Sequence, residues 1–232
     1  MNSNQLSQRL KTVADFVKPG ETVADIGSDH AYLPCYLVKN NRVEKAIAGE
    51  VVEGPFQSAV KQVEEDGLTA NIEVRKGNGL TVLSPGEVTT VAIAGMGGPL
   101  ISEILENGKD RLTGVQKLIL QPNINAISIR LWLQEHGWQI SDEKILEEDR
   151  KIYEVIMAER SADVKKLSEE ELLLGPVLLK DKSPVFIAKW KHELVQLKKI
   201  KKQMELAEQN TSLLEKKKQL EQKIMLIEEA IK

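Results

Sequence analysis

Residues 22–34, Thr-Val-Ala-Asp-Ile-Gly-Ser-Asp-His-Ala-Tyr-Leu-Pro, constrain this chain more than any other stretch. Thr22–Ile26 is a short β-branched and apolar run after a Pro19-Gly20 break, which predicts a buried strand. Gly27 follows at once, and the apolar residues of Leu33–Lys39 suit a helix. A strand, a glycine turn and a helix together aim backbone N–H groups and a helix N-terminus at a nucleotide-like ligand. Gly27 lets a backbone approach that ligand closely, because no Cβ intervenes.

The spacing departs from the dinucleotide pattern G-x-G-x-x-G, since Asp29 stands at the second glycine position. A carboxylate there disfavours a pyrophosphate and suits a ligand with a cationic centre. S-adenosylmethionine, with a sulfonium and an α-ammonium, fits that electrostatics. Lys45–Gly49 predicts the next strand, ending at Glu50. That acid falls about 20–25 residues past Gly27, where this fold places a ribose-binding carboxylate.

Further turns extend the pattern. Asn71–Arg75 predicts a third strand before Lys76-Gly77-Asn78-Gly79, where Asn78 would face an adenine or the glycines simply turn the chain. Val88–Ala94 predicts a fourth strand, ending in Gly95-Met96-Gly97-Gly98-Pro99. Three glycines in four positions imply close backbone approach, and Met96 would meet the ligand or pack inward. Lys117–Leu120 predicts a fifth strand, with Pro122 holding the Gln121 and Asn123 amides exposed at a crevice edge.

Around these strands, Leu6, Leu10, Val13, Phe16 and Val17 recur at helical spacing, so residues 4–18 are expected to be a helix capped by Ser3 or Asn4. Arg9 on its polar side would face solvent or lie over the site mouth against a phosphate. Gly54–Asp66 predicts a helix stopped by Gly67. Ile124–His136 predicts another, with Ile127, Leu131 and Trp132 periodic. Trp138–Ile140, Lys144–Leu146 and Ile152–Ala158 read as strands, the last two a hairpin through residues 147–150. An antiparallel strand beside parallel ones is typical of methyltransferases rather than dehydrogenases.

Composition changes near Arg160. Residues 161–184 read as a connecting segment with one short helix. Residues 185–232 hold no glycine or proline. Trp190, Leu194, Leu197, Ile200, Met204 and Ala207 step by three or four. Leu213, Leu220, Ile224, Ile227 and Ile231 repeat this in a shifted register. An S-x-x-E capping box, Ser212 with Glu215, follows Gln209-Asn210. The expected structure is an antiparallel coiled-coil hairpin broken near Asn210. Its lysines (198, 199, 201, 202, 216, 217, 218) would either be a solvated face or track a phosphate backbone.

The 232 residues carry a net charge of -3, so any nucleic-acid contact must come from local patches. One cysteine, Cys35, and three histidines argue against a disulfide framework and a protein-held metal. No apolar run approaches spanning length and no signal-peptide core opens the chain, so a membrane partner is not expected and the cytoplasm is the expected compartment.

Asp25-Ile-Gly-Ser-Asp-His-Ala-Tyr-Leu-Pro34, Ala94-Gly-Met-Gly-Gly98 and Gln121-Pro-Asn123 together resemble the bacterial TrmK family. These are S-adenosylmethionine-dependent tRNA (adenine(22)-N1)-methyltransferases. The similarity runs from about Leu6 to Met157 and, more loosely, through the C-terminal helices. It implies an α/β Rossmann-like class I methyltransferase domain over residues 1–160, then a connecting segment and α-helical coiled coil over 161–232 that would bind tRNA. It implies that Asp25, Gly27 and His30 shape the methionine pocket, Glu50 holds the ribose, Asn78 and Gly79 flank the adenine, and Gly95, Met96 and Gly97 close under the cofactor. Asp29 would stabilise the positive charge of the methylated base or bind the cofactor's ammonium. Gln121 and Asn123 would read the adenine amine. Arg9, Arg130 and the hairpin lysines would contact phosphates. Two other classes fit part of the pattern: a small-molecule methyltransferase dimerising through the coiled coil, and a non-catalytic cofactor-fold protein that binds a partner with it.

Overall fold

Seven strands form one sheet among the described residues of the computed structural model, which cover 2–206 and 211–232. In chain order they are β1 (Val23–Ile26), β2 (Ala46–Glu50), β3 (Ile72–Lys76), β4 (Thr90–Gly97), β5 (Lys117–Ile124), β6 (Trp138–Glu148) and β7 (Lys151–Arg160). The sheet order is β3-β2-β1-β4-β5-β7-β6. The first five strands are parallel, and β7 lies antiparallel between β5 and β6. Every residue of β1 and β2 is buried, as expected for central parallel strands covered on both faces.

The chain divides into two units, Met1–Lys166 and Leu167–Lys232. In the first, α1 (Gln8–Asp15), α2 (Tyr32–Lys39), α3 (Glu53–Glu65), α4 (Gly98–Asn107) and α5 (Ala126–Glu135) accompany the strands. From β1 the chain steps outward through β2 to β3, then returns to place β4 on the other side of β1. This reversal makes the β1/β4 boundary the topological switch point, where ligands of open α/β sheets bind.

Several expectations shift. α1 begins at Gln8, capped by the Ser7 hydroxyl, which accepts from Leu10 N. Asn2 Oδ1 accepts from the backbone N of Asn4 and Gln5, closing a separate turn ahead of the helix. Ser3, offered as a cap, is buried and its hydroxyl accepts from Lys39 Nζ at 2.9 Å. The glycine stretch after Ala94 and the Gln121-Pro122-Asn123 stretch belong to β4 and β5. Register shifts fall between Ala94 and Met96 and again between Met96 and Gly97. The pairing accommodates Pro122, which lacks a ladder donor, at this irregularity. The two short strands expected over 138–146 are one strand, β6, irregular between Ile140 and Asp142. Asp149 and Arg150, at φ +52° and +62°, turn it into β7.

The second unit holds two short helices where one was expected, α6 (Glu169–Leu174) and α7 (Leu178–Asp181). Ser168 and Glu171 form a capping box on α6. α8 (Pro184–Leu206) and α9 (Thr211–Ala230) form an antiparallel hairpin burying Phe186, Trp190, Leu197, Ile224 and Ile227. Ion pairs Glu193–Lys223, Lys201–Glu221 and Glu205–Lys217 join the two helices along their length. The expected break at Gln209-Asn210 and capping by the Ser212 side chain lie outside the described residues. No helix of the described residues is long and apolar enough to cross a membrane.

Candidate active site at the switch point

The β1 turn is built under strain. Asp29, His30 and Ala31 follow Gly27 at φ +40°, +65° and +53°, three consecutive non-glycine residues in the left-handed region. Each costs about 1 kcal/mol or more, and such strain gathers at ligand clamps. Three hydrogen bonds to the neighbouring strand hold the turn, one of them from Ser28 N to Gly49 O at 3.2 Å. Gly27 N donates to Gly49 O at 2.9 Å, and Asp29 N donates to the Glu50 carboxylate. Glu50 itself is buried at the end of β2, and burial raises its carboxyl above the ordinary range.

Asp25 sits below the turn, 3% exposed. Burial pushes its carboxyl up to about 7, partly offset by the Ser28 hydroxyl, which donates to it at 2.6 Å. The Arg9 cation in the same cavity pulls it down while Glu50 and Asp29 push it up, and a carboxyl shifted this far in a crevice is a functional-site signature.

A cavity of about 220 Å³ opens here, lined by Arg9, Leu10, Asp25, Gly27, Ser28, Asp29 and residues 94–96. The Met96 side chain lies against Gly27 and narrows it: a Cβ on Gly27 would stand 2.1 Å from Met96 Cε. Gly27 and Gly95, at φ +73° and +81°, both adopt conformations that L side chains rarely take. A smaller cavity, about 100 Å³, is lined by Asn78, Gly79 and Thr81 after β3, with Leu100, Glu103 and Ile104 of α4.

The sheet thus brings Asp25, Gly27, Asp29, Gly95 and Met96 into one cavity, with Glu50 bonded to its rim and Asn78 and Gly79 in the second. His30 is half-exposed, its Nε2 lying 3.5 Å from Asp29 Oδ1 and its ring stacked on Tyr32. Gly97 ends β4 and precedes α4. Asn123 is exposed, and its Nδ2 donates to Gly95 O at 2.7 Å, so this side chain also fastens the glycine turn.

Two residues expected at the rim are elsewhere. Gln121 is fully buried rather than exposed. Its Oε1 accepts from Gly95 N at 2.9 Å and from Arg9 Nη1 at 2.6 Å, so it cannot offer its amide to a substrate. Arg130 is also fully buried, bonded to Glu143 at 2.8 Å and Glu154 at 2.7 Å. It ties α5 to β6 and β7 and reaches no phosphate. Of the two positions expected for it, Arg9 takes the one at the site rather than the one in solvent. It enters the cavity and lies over the Tyr153 ring at 5.6 Å.

Ser28, Glu148 and Tyr153 matter to this site without having been singled out for it, and Gln121 matters in a role other than the one expected. Ser28 alone had a local signal, a hydroxyl three residues past a buried acid. The others act on partners more than 100 residues away in the chain, beyond the reach of periodicity. Among the described residues no group of three or more metal-ligating side chains gathers.

A family model described as tRNA (adenine(22)-N(1))-methyltransferase, TrmK, matches residues 23–229. A Bacillus subtilis (strain 168) protein of the same description is 49% identical over 235 residues, covering 100% of this chain and 99% of its own length. The crystal structure of the B. subtilis M1A22 tRNA methyltransferase TrmK superposes with a TM-score of 0.94 at 47% identity, covering 99% of this chain and 100% of that one. The structure of M. capricolum TrmK in complex with S-adenosyl-homocysteine superposes with a TM-score of 0.83 at 31% identity, covering 97% of each.

Proposed function

The chain belongs to the TrmK family of tRNA (adenine(22)-N(1))-methyltransferases, and from that premise we propose that the switch-point crevice binds S-adenosyl-L-methionine and methylates N1 of adenine 22 in tRNA. The observation that carries this reading is the charge pattern of the crevice. Buried Asp25 and Glu50, exposed Asp29 and cationic Arg9 converge on a strained glycine turn. An anionic pyrophosphate has poor company there, whereas a sulfonium donor with a zwitterionic amino-acid end is matched.

The residues present fit the donor. Glu50, at the end of β2, is placed to accept the ribose hydroxyls. Asn78 and Gly79 flank the space for the adenine, and Gly27, Gly95 and Gly97 keep side chains out of its path. His30 closes the turn beside Asp29. The donor supplies an activated methyl group.

The protein supplies placement and charge. N1 of adenine is largely unprotonated at neutral pH, so no general base is required before transfer. The base gains positive charge on methylation, and the exposed Asp29 carboxylate at the crevice mouth stabilises it. Asn123, fixed by Gly95, retains a carbonyl lone pair for the adenine amine. In-line placement of nitrogen and methyl provides most of the acceleration. N1 lies on the pairing edge, so the base is exposed or extruded before it reaches the crevice.

The second unit supplies the tRNA contacts in this proposal. Lys198, Lys201, Lys217 and Lys223 are committed to Glu228, Glu221, Glu205 and Glu193. Lys199, Lys202, Lys216 and Lys218 are exposed and carry no ion pair among the described residues, which leaves them for phosphates. A tRNA substrate assigns the protein to the cytoplasm.

The test is to incubate the protein with tRNA and labelled donor, then map the modified nucleotide. Label in N1-methyladenosine at position 22 is the expected result. Label elsewhere, or transfer only to small molecules, overturns the assignment. Asp29→Ala with undiminished turnover would remove its charge-stabilising role.

A further inference from the structure

Two helices lead away from the crevice, and they are fixed to each other at both ends. α4 follows the β4 glycine turn directly, and α5 begins just past Asn123. At the leading ends a Cβ on Gly98 would stand 2.1 Å from Asn125 O, so α4 starts against the entry to α5 with no side chain between them. Asn123 Nδ2, bonded to Gly95 O, ties the two approaching segments together just before that point. At the trailing ends, about 12 Å along α4, three side chains close the pair.

Those three are Glu106 of α4, Trp132 of α5 and His136, the residue that ends α5. Glu106 Oε2 accepts from Trp132 Nε1 at 3.0 Å and lies 3.0 Å from His136 Nε2. His136 Nδ1 lies 2.8 Å from Trp132 O. The imidazole is stacked on the indole, with centroids 4.3 Å apart and planes 10° apart. Both ring nitrogens therefore face acceptors. A neutral imidazole has one N–H and serves one of them, whereas the doubly protonated ring donates to both. The indole face and the C-terminal end of α5 also suit a cation. Three other charged groups surround the ring. Lys109 Nζ donates to Glu106 Oε1 at 2.6 Å, Arg160 Nη1 donates to His136 O at 2.6 Å, and Glu135 precedes His136 in the chain. Lys109 and Trp132 hold the Glu106 carboxyl below the ordinary carboxylate range, so the acceptor stays charged.

We propose that His136 is a positioning residue for methyl transfer: with both ring nitrogens protonated it clasps α5 to Glu106 of α4 and so fixes the spacing between the β4 glycine turn and the Asn123 edge. The proposal rests on the transferase reading above and deepens it, because donor and base must be held in line at that edge. His136 acts through the two helices rather than on either reactant. Loss of one ring proton frees one of the two acceptors and loosens the trailing ends. The helix pair carries that freedom back to its leading ends, where Asn123 holds Gly95.

Single-turnover transfer to tRNA at saturating donor tests this across a pH series, in the unmodified protein and in His136→Gln, with NMR of the ring nitrogens in parallel. Glutamine keeps an N–H for Glu106 but does not titrate. Where both ring nitrogens carry protons, the unmodified protein should be faster by about 3- to 10-fold, the scale of one lost hydrogen bond. The ratio should fall toward parity as the ring loses a proton. Saturating donor keeps Asp25 out of the comparison. Melting temperature and donor affinity should stay close to the unmodified values in His136→Gln.

A rate ratio that stays flat through the ring's titration overturns the proposal in favour of a purely structural contact. Ring nitrogens that share one proton at every pH overturn it too, and this measurement needs no variant to fold. A melting temperature that falls together with the rate in His136→Gln assigns the residue to the fold instead. Absence of transfer by the unmodified protein removes the transferase reading itself, and the proposal with it.

Discussion

Met96 Cε occupies the space that a side chain on Gly27 would need, 2.1 Å from where its Cβ would stand. Gly27 follows β1 and Met96 lies in β4, on either side of the switch point. Gly27→Ala therefore meets two penalties, the clash and a φ of +73°. The left-handed conformation alone costs about 1–2 kcal/mol. Donor affinity should fall in Gly27→Ala, and adding Met96→Ala should recover only the part due to the clash. A double variant no better than the single would show that strain alone governs the position.

Stability should depend on pH through Asp25. Its carboxyl holds a proton up to about pH 7 in the folded chain, against 3.8 for the ordinary group. Between those values the folded state binds more protons than the unfolded one, so stability falls as pH rises from about 4 to 7 and levels off above. Asp25→Asn should flatten that slope in thermal melts. A cationic donor favours the ionised form, so donor binding should tighten as pH rises through about 7. Calorimetry in buffers of different ionisation enthalpy should detect proton release at pH 6 and not at pH 8.

Glu50 carries the ribose contact and the turn at once. Glu50→Gln preserves an oxygen for Asp29 N but removes the charge. Donor affinity should drop about tenfold or more, the scale of a lost charge-assisted bond, while the melting temperature changes little. A large drop in melting temperature would mean that Glu50 mainly holds the fold.

Arg130→Met should leave Glu143 and Glu154 buried without their cation, at a cost of about 3–5 kcal/mol. Replacing all three, with Glu143→Leu and Glu154→Leu added, should cost less than the single change. Urea midpoints compare the two. The reverse order would mean that the triad stabilises the fold outright.

Changing Lys199, Lys202, Lys216 and Lys218 to Gln should weaken tRNA binding and leave donor binding intact. The salt dependence should flatten by about 0.7–0.9 in log–log slope for each lysine that touches a phosphate. An unchanged slope would return these lysines to the solvated face.

The sheet was legible where local chemistry and tertiary need agree. The fully buried β1 and β2, the glycine after β1 and the acid ending β2 each carry one meaning. Legibility failed where a residue's role depends on a distant strand. Pro122 suggests a turn, yet the irregular β4–β5 pairing accommodates it within a strand. Arg130 suggests an exposed helix face, and only the return of β6 and β7 supplies the two acids that bury it. Arg9 is an unremarkable polar-face residue until Gln121, Glu148 and Tyr153 arrive beside it.

The carboxylate of Glu148 receives the first two backbone amides of α1, from the opposite end of the same unit. During synthesis the ribosome releases Arg9 long before Gln121, Glu148 or Tyr153 exists. A nascent chain shorter than about residue 153 thus has its five parallel strands and its glycine turn but no seat for the guanidinium. Completion of the crevice is a late event in the life of the polypeptide, timed by its last hairpin.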